Sequence, residues 1–317
     1  MMRSLLVLGL AHAASAACPS RLSPGEHMVG VGIAGVERTF FISVPVEVST
    51  PRPAVTMWHG CGSSPEKFEL ESQMNVNAAE RNVYNIYPQG TGTPRLGWNA
   101  GFSQCSTGGL VNDVDFARAV VLYAIENLCV ETTEIYAAGF SNGGSMVFNL
   151  TCAMSDTFSA FSFTGASMPQ ATYPAACGAA FVRPVLGMCG SQDGCSSGMA
   201  SWLTAYSGIS NCTDGVNTTE YSATTTCHEH ATCGAGEKSP LSYCMVQGLG
   251  HCWSGNDCCD QQCSGQDPAN IDASAHVLSF FDKVPKEAAV QLDQAALAKQ
   301  LRAQLNASNA VVRYRTA

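Results

Sequence analysis

Residues 135–154 constrain the fold more than any other part of this 317-residue chain. An apolar run, Ile135-Tyr136-Ala137-Ala138, leads directly into Gly139-Phe140-Ser141-Asn142-Gly143-Gly144, and residues suited to a helix follow. A strand that becomes a helix within a residue or two needs glycine beside the turn, because a Cβ there collides with the turn itself. That geometry belongs to an α/β sheet, where the strand ends at an edge and the turn lifts a serine hydroxyl clear of it. The pattern Gly-x-Ser-x-Gly is weak alone in a chain this rich in Gly and Ser. The strand before it and the helix after it give it meaning.

The rest of the chain repeats the theme. Residues 39–44, 54–58, 83–87, 134–138, 160–164, 184–188 and 243–247 read as short apolar or β-branched strands. Residues 111–128 carry Val114, Ala117, Val121, Ala124 and Leu128 at helical spacing, with Asp113 and Asp115 near the start, where acidic groups suit the helix dipole. Further helices are predicted over 142–154 and 268–282. The alternation predicts an α/β fold: a mostly parallel sheet with helices on both faces. Residues 18–284 are expected to form this domain. Within it, 195–242 is polar, Thr-rich and Cys-rich, and reads as a disulfide-rich insertion. Beyond Pro285 the composition shifts to Ala, Leu, Gln and Lys. There Val290, Leu297, Leu301 and Leu305 form one helical stripe, so 285–317 is expected to be a tail helix packed on this domain or on another chain.

Residues 1–17 read as a signal peptide: Arg3, an apolar stretch through Leu10, then Ala14-Ser15-Ala16. No segment is long enough to anchor the chain in a membrane. Sixteen cysteines all lie after that leader, ten of them between Cys189 and Cys263 inclusive. In a secreted chain an even count implies disulfides, up to eight, with a connectivity the sequence leaves open. Four N-x-S/T sequons, at Asn149, Asn211, Asn217 and Asn306, suit a eukaryotic secretory route. Net charge is −9 and no basic run occurs, which excludes nucleic acid as a partner.

A serine hydroxyl needs a base. Of seven histidines, His12 leaves with the leader, His27 precedes the core sheet, His228 and His230 lie in the insertion, and His276 sits in the last helix of the domain. His251, in Gly248-Leu249-Gly250-His251-Cys252-Trp253, follows the last strand and satisfies the chain order serine, acid, histidine. Asp193, ending Cys189-Gly190-Ser191-Gln192-Asp193 after a strand, is the acid expected to orient the imidazole. Asp214 lies among sequon and turn residues, and Asp156 follows the nucleophile helix too closely. Backbone N–H groups of Asn142 and of Cys61, in His59-Gly60-Cys61-Gly62, are the candidate oxyanion donors. His59 is expected to shape that loop. Trp253 and Trp98 are candidate stacking surfaces for a sugar or an aromatic acyl group. Cys227, His228, His230 and Cys233 have metal-like spacing, but an oxidising compartment favours disulfides there.

These segments resemble the secreted α/β-hydrolases that include feruloyl esterases, acetylxylan esterases and polyhydroxybutyrate depolymerases. The resemblance spans about residues 23–281. It rests on Ser23-Pro24-Gly25, Glu37-Arg38-Thr39-Phe40-Phe41-Ile42-Ser43-Val44-Pro45, His59-Gly60-Cys61-Gly62, Tyr87-Pro88-Gln89-Gly90 and Asn112-Asp113-Val114-Asp115-Phe116. The Ser-Asn-Gly-Gly elbow and Gly250-His251-Cys252-Trp253-Ser254-Gly255 are its most specific parts. It implies an α/β-hydrolase fold with Ser141, Asp193 and His251 as a triad. Where the family often has His-Gly before the acid turn, this chain has Cys189-Gly190. Where it has Trp-Pro-Gly after the base, this chain has Trp253-Ser254-Gly255. These departures bear on substrate choice more than on chemistry. The expectation is a secreted serine esterase without metal or organic cofactor, acting on esters of plant cell-wall polysaccharide. A polyester of hydroxyacids is the alternative substrate, and an extracellular binding module without turnover is the alternative class.

Overall fold

Strand pairing gathers the short apolar runs into one eleven-stranded sheet. The structure, a computed structural model, describes residues 20–316 apart from 47–48, 93–94, 101–104, 106–111, 167–182, 234–239, 256–270 and 286–291. Residues 1–17, read as a signal peptide, together with Val290, Cys258, Cys259 and Cys263, lie outside the described residues. In chain order the elements are β1 (Gly25–Ile33), β2 (Val36–Val44), β3 (Arg52–Trp58), α1 (Pro65–Ser72), α2 (Met74–Ala78) and β4 (Tyr84–Pro88). Then come α3 (Asp113–Asn127), β5 (Val130–Phe140), α4 (Asn142–Ala153), β6 (Ala160–Thr164), β7 (Val185–Gly190) and α5 (Met199–Ile209). β8 (Asn217–Ser222), β9 (Thr225–His230), β10 (Leu241–Val246), α6 (Ala273–Asp282), α7 (Gln294–Ala307) and β11 (Val312–Thr316) complete the chain.

The strand order is β11-β1-β2-β4-β3-β5-β6-β7-β10-β9-β8. Neighbours from β4 to β10 pair in parallel, and the flanking strands pair antiparallel. Period-two alternation sorts side chains to two faces. Ile135 and Ala137 of β5 join Phe116, Val120, Val147, Leu150, Trp202 and Leu301, from α3, α4, α5 and α7. Tyr136 and Ala138 join Phe68, Met74, Val277 and Phe281, from α1, α2 and α6. Both faces are therefore covered by helices, as a buried parallel sheet requires. Asn112 caps α3 by accepting from the N–H groups of Val114 and Asp115, and Asp293 caps α7 through Ala296 N–H at 2.7 Å.

In two regions the structure adds to the sequence expectation. The described residues of 195–242 are built into the domain, since α5 packs in the core and β9 and β8 extend the main sheet. Disulfides Cys212–Cys233 and Cys227–Cys244 tie this region to itself and to β10. The tail takes the first of its two expected places, with α7 packed on α3 of this domain, and adds a strand, β11, that pairs with β1. Leu297, Leu301 and Leu305 are buried, and Tyr314 OH donates to Ala119 O at 2.8 Å. Leu301→Ala is expected to lower unfolding free energy by about 2–5 kcal/mol, as a truncated core leucine does. Urea denaturation measures it, and an unchanged midpoint would mean that the tail contributes nothing to the fold.

Candidate active site

The parallel strands β3, β5, β7 and β10 end at one sheet edge, and the loop after each supplies one part of the site. After β5 the chain turns on Ser141 itself, at φ 55° and ψ −120°, a strained conformation for a residue with a side chain. The surrounding contacts hold it there. Ser141 N–H donates to Thr164 O at 2.8 Å, and Ser145 N–H to Ser141 O at 2.9 Å. A Cβ on Gly139 would lie 2.5 Å from Gly143 O, and one on Gly143 would lie 1.9 Å from Trp58 O. Both glycines are thus demanded by close backbone approach.

Ser141, His251 and Asp193, read separately from the sequence, converge. His251 Nε2 lies 2.8 Å from Ser141 Oγ, and His251 Nδ1 lies 2.8 Å from Asp193 Oδ2. An ionised carboxylate only accepts, so Nδ1 carries the proton and Nε2 turns its lone pair to the serine hydroxyl. The Asp193 side chain is 7% exposed and that of His251 is 50% exposed, so the acid is sheltered while the base faces solvent. The acid turn and the base loop are laced together. Gln192 N–H donates to Leu249 O at 2.9 Å, and Gly248 N–H to Ser191 Oγ at 2.9 Å. The Cys189–Cys195 disulfide closes the turn that carries Asp193.

The loop after β3 lies against the nucleophile: a Cβ on Gly60 would sit 3.3 Å from that of Ser141. Cys61 is bonded to Cys105, and Gly62 N–H donates to Leu96 O at 2.7 Å. His59, fully buried, clamps this loop. Its Nδ1 donates to Gly60 O at 2.7 Å, and its Nε2 accepts from Gly90 N–H at 3.0 Å. Burial pushes its pKa down to about 4, so the ring is neutral and both bonds persist at neutral pH. Asn142 begins α4, which puts its N–H at a helix N-terminus beside Ser141. Its side chain has a role the sequence did not suggest: Oδ1 accepts from Trp98 N–H at 2.7 Å, and Nδ2 donates to Trp98 O at 3.2 Å.

The two tryptophans are a correction. Trp98 is fully buried, its ring edge-on to Trp58 at 4.7 Å and its Nε1–H donating to His59 O at 2.8 Å. Trp253 is 3% exposed, donates to Ser274 Oγ at 3.0 Å and meets Phe68 edge-on at 5.3 Å. Neither offers a face to a ligand; both brace the loops that carry His59 and His251. Among the described residues, the aromatic ring that meets His251 is Phe140, half-buried and 4.8 Å from the imidazole. A Cβ on Gly165 would lie 2.7 Å from the Phe140 ring and 3.3 Å from Asp193 Oδ2. Sequence reading also missed a buried ion pair, Arg38–Asp113 at 2.9 Å. Arg38 donates to Gln89 O at 3.1 Å and lies 3.9 Å over the Phe116 ring, while Asp113 accepts from Asn99 N–H at 2.6 Å. Of the residues weighed as metal ligands, Cys227 and Cys233 are in disulfides.

Neutral His59 makes a pH prediction. Its folded pKa of about 4 lies below the ordinary 6.5, so between those values the unfolded chain binds the extra proton. The stability it contributes is complete above pH 6.5 and is lost as pH falls to about 4. His276, also lowered to about 4 by burial, acts in the same direction. Urea unfolding at pH 7 and pH 4.5 is expected to give a smaller loss in His59→Gln than in the wild type. Equal losses would contradict a buried neutral ring.

The fold is that of the α/β-hydrolases. Over 68% of this chain and 89% of the other, it superposes on an acetyl xylan esterase from Aspergillus awamori, with TM-score 0.53 and 13% identity. In sequence the chain is related to esterases. It is 27% identical over 146 residues to feruloyl esterase B of Thermothelomyces thermophilus, covering 45% of this chain and 48% of that protein. It is 27% identical over 163 residues to feruloyl esterase D of Neurospora crassa, covering 47% and 54%. The match spans about half the length of each relative. No family model matches the chain.

Proposed function

We propose that this protein is a secreted serine hydrolase of carboxylic esters, of the feruloyl or acetylxylan esterase kind, with plant cell-wall polysaccharide esters as substrates. The observation that carries the reading is the unbroken line Asp193–His251–Ser141, with both contacts at 2.8 Å. Ser141 Oγ attacks the ester carbonyl and gives its proton to His251 Nε2. Asp193 holds the imidazole tautomer and stabilises the imidazolium. The N–H groups of Cys61 and Asn142 receive the oxyanion. His251 then protonates the departing alkoxide, and water, activated by the same base, releases the acid from Ser141. Nucleic acid and membrane lipid have no part in this chemistry.

The esterase relatives and the acetyl xylan esterase fold support the substrate class. Secretion is supported by residues 1–17, by the four disulfides among the described residues and by the sequons. No described helix is long and apolar enough to cross a membrane. A panel of methyl ferulate, feruloylated and acetylated xylan fragments and polyhydroxybutyrate tests the reading. Release of ferulate or acetate, with none from polyhydroxybutyrate, is expected. Turnover of the polyester alone would overturn the substrate class, and no turnover of any ester would overturn the enzyme.

A further inference from the structure

The two outer strands of the sheet are β11 and β8, and they are built differently. β11 carries Arg313 and Arg315, both exposed, with the Arg315 side chain 77% exposed. Paired like charges on an outer strand repel an approaching sheet. β8 is Asn217-Thr218-Thr219-Glu220-Tyr221-Ser222, exposed along almost its whole length. It has one charged residue, Glu220, and no Lys, Arg or Pro. Tyr221 is 46% exposed, and Val216, just before the strand, is 49% exposed. A β-prone, nearly uncharged outer strand is a template for pairing with another chain. Its first residue is the asparagine of the sequon Asn217-Thr218-Thr219.

We propose that Asn217 carries an N-linked oligosaccharide and that this glycan, in place of charge, closes the β8 edge. The inference rests on the secretory reading above. In the transfer, the Asn217 amide nitrogen bonds to the anomeric carbon of an oligosaccharide carried on a lipid diphosphate. The carbon–oxygen bond to phosphate breaks, the lipid diphosphate leaves, and the amide loses one proton. Asn217, Thr218 and Thr219 are all exposed, so the product fits the folded protein. Asn149 is the contrast. It is half-buried in α4 between buried Phe148 and Leu150, and the Thr151 hydroxyl donates to Phe148 O at 2.7 Å. The fold therefore sorts sequons that the sequence leaves equivalent.

The test is secretion from yeast, with a yeast leader in place of residues 1–17, followed by peptide mapping after deglycosylation in 18O water. Asn217 is expected as 18O-labelled aspartate in most molecules. Thr219→Ala, which keeps Asn217 and removes the sequon, is expected to retain esterase activity and to form concentration-dependent dimers or larger species in sedimentation. Adding Thr218→Lys to that variant is expected to restore the monomer. Endoglycosidase trimming of the folded wild-type protein should give the same association without any substitution. Unmodified Asn217 in exported, active protein would overturn the site. Trimmed protein that stays monomeric would overturn the role of the glycan. Failure of the native residues 1–17 to direct export would count against the secretory reading alone.

Discussion

Ser141→Ala is expected to lower kcat for ester hydrolysis by about 10^6-fold, the loss seen when a serine nucleophile is removed from a working triad. The argument starts from the backbone. Ser141 occupies a strained conformation whose cost of about 1–3 kcal/mol is offset by the packing of Gly139 and Gly143 against neighbouring backbone. Nothing in that packing uses the serine hydroxyl, which meets His251 Nε2 at 2.8 Å. The variant should therefore fold as stably as the wild type, within about 1 kcal/mol. Steady-state kinetics with methyl ferulate and a denaturation curve separate the effects. Loss of activity together with loss of fold would mean that the residue acts as scaffold.

Asp193→Asn is expected to lower kcat by about 10^4-fold with little change in KM, because an amide in place of the carboxylate favours the wrong imidazole tautomer. The geometry makes this a clean substitution. The Asp193 side chain is sheltered, its Oδ2 meets His251 Nδ1, and its Oδ1 accepts from Cys195 N–H at 3.4 Å. Asparagine keeps the shape and the second acceptor, and loses the charge that stabilises the imidazolium. If kcat fell no further than about tenfold, another group would have to orient His251. The kcat and KM split with one soluble ester decides it.

Much of this site was legible because its chemistry is local. The apolar run before Gly139 and the helix after Asn142 put Ser141 at a sheet edge, and the runs before Asp193 and His251 put both at strand ends. Features set by long-range approach were not legible. β1 escaped because Gly30 and Gly32 dilute its apolar pattern, and its hairpin turns on Ala34 and Gly35 at φ 49° and 83°, where Ala34 gives no turn signal. β8 escaped because a Thr-rich, exposed strand lacks a core-facing alternation, and β9 because its buried positions are Thr225, Cys227 and His230, which give no apolar pattern. Trp98 and Trp253 looked like stacking surfaces because composition does not reveal burial. The clamp by His59, the Asn142–Trp98 pairing and the Arg38–Asp113 pair join residues tens of positions apart. Only the folded sheet brings those partners within hydrogen-bonding distance.

Labelling with a fluorophosphonate ester, followed by peptide mapping, tests the central claim most directly. Such probes phosphonylate a serine only where a base activates it and donors hold the developing oxyanion. The folded protein should incorporate one equivalent, on Ser141. Prior unfolding or His251→Ala should abolish the reaction. A folded protein that takes up no probe, or takes it up on another serine, would contradict the assignment of Ser141 as the nucleophile.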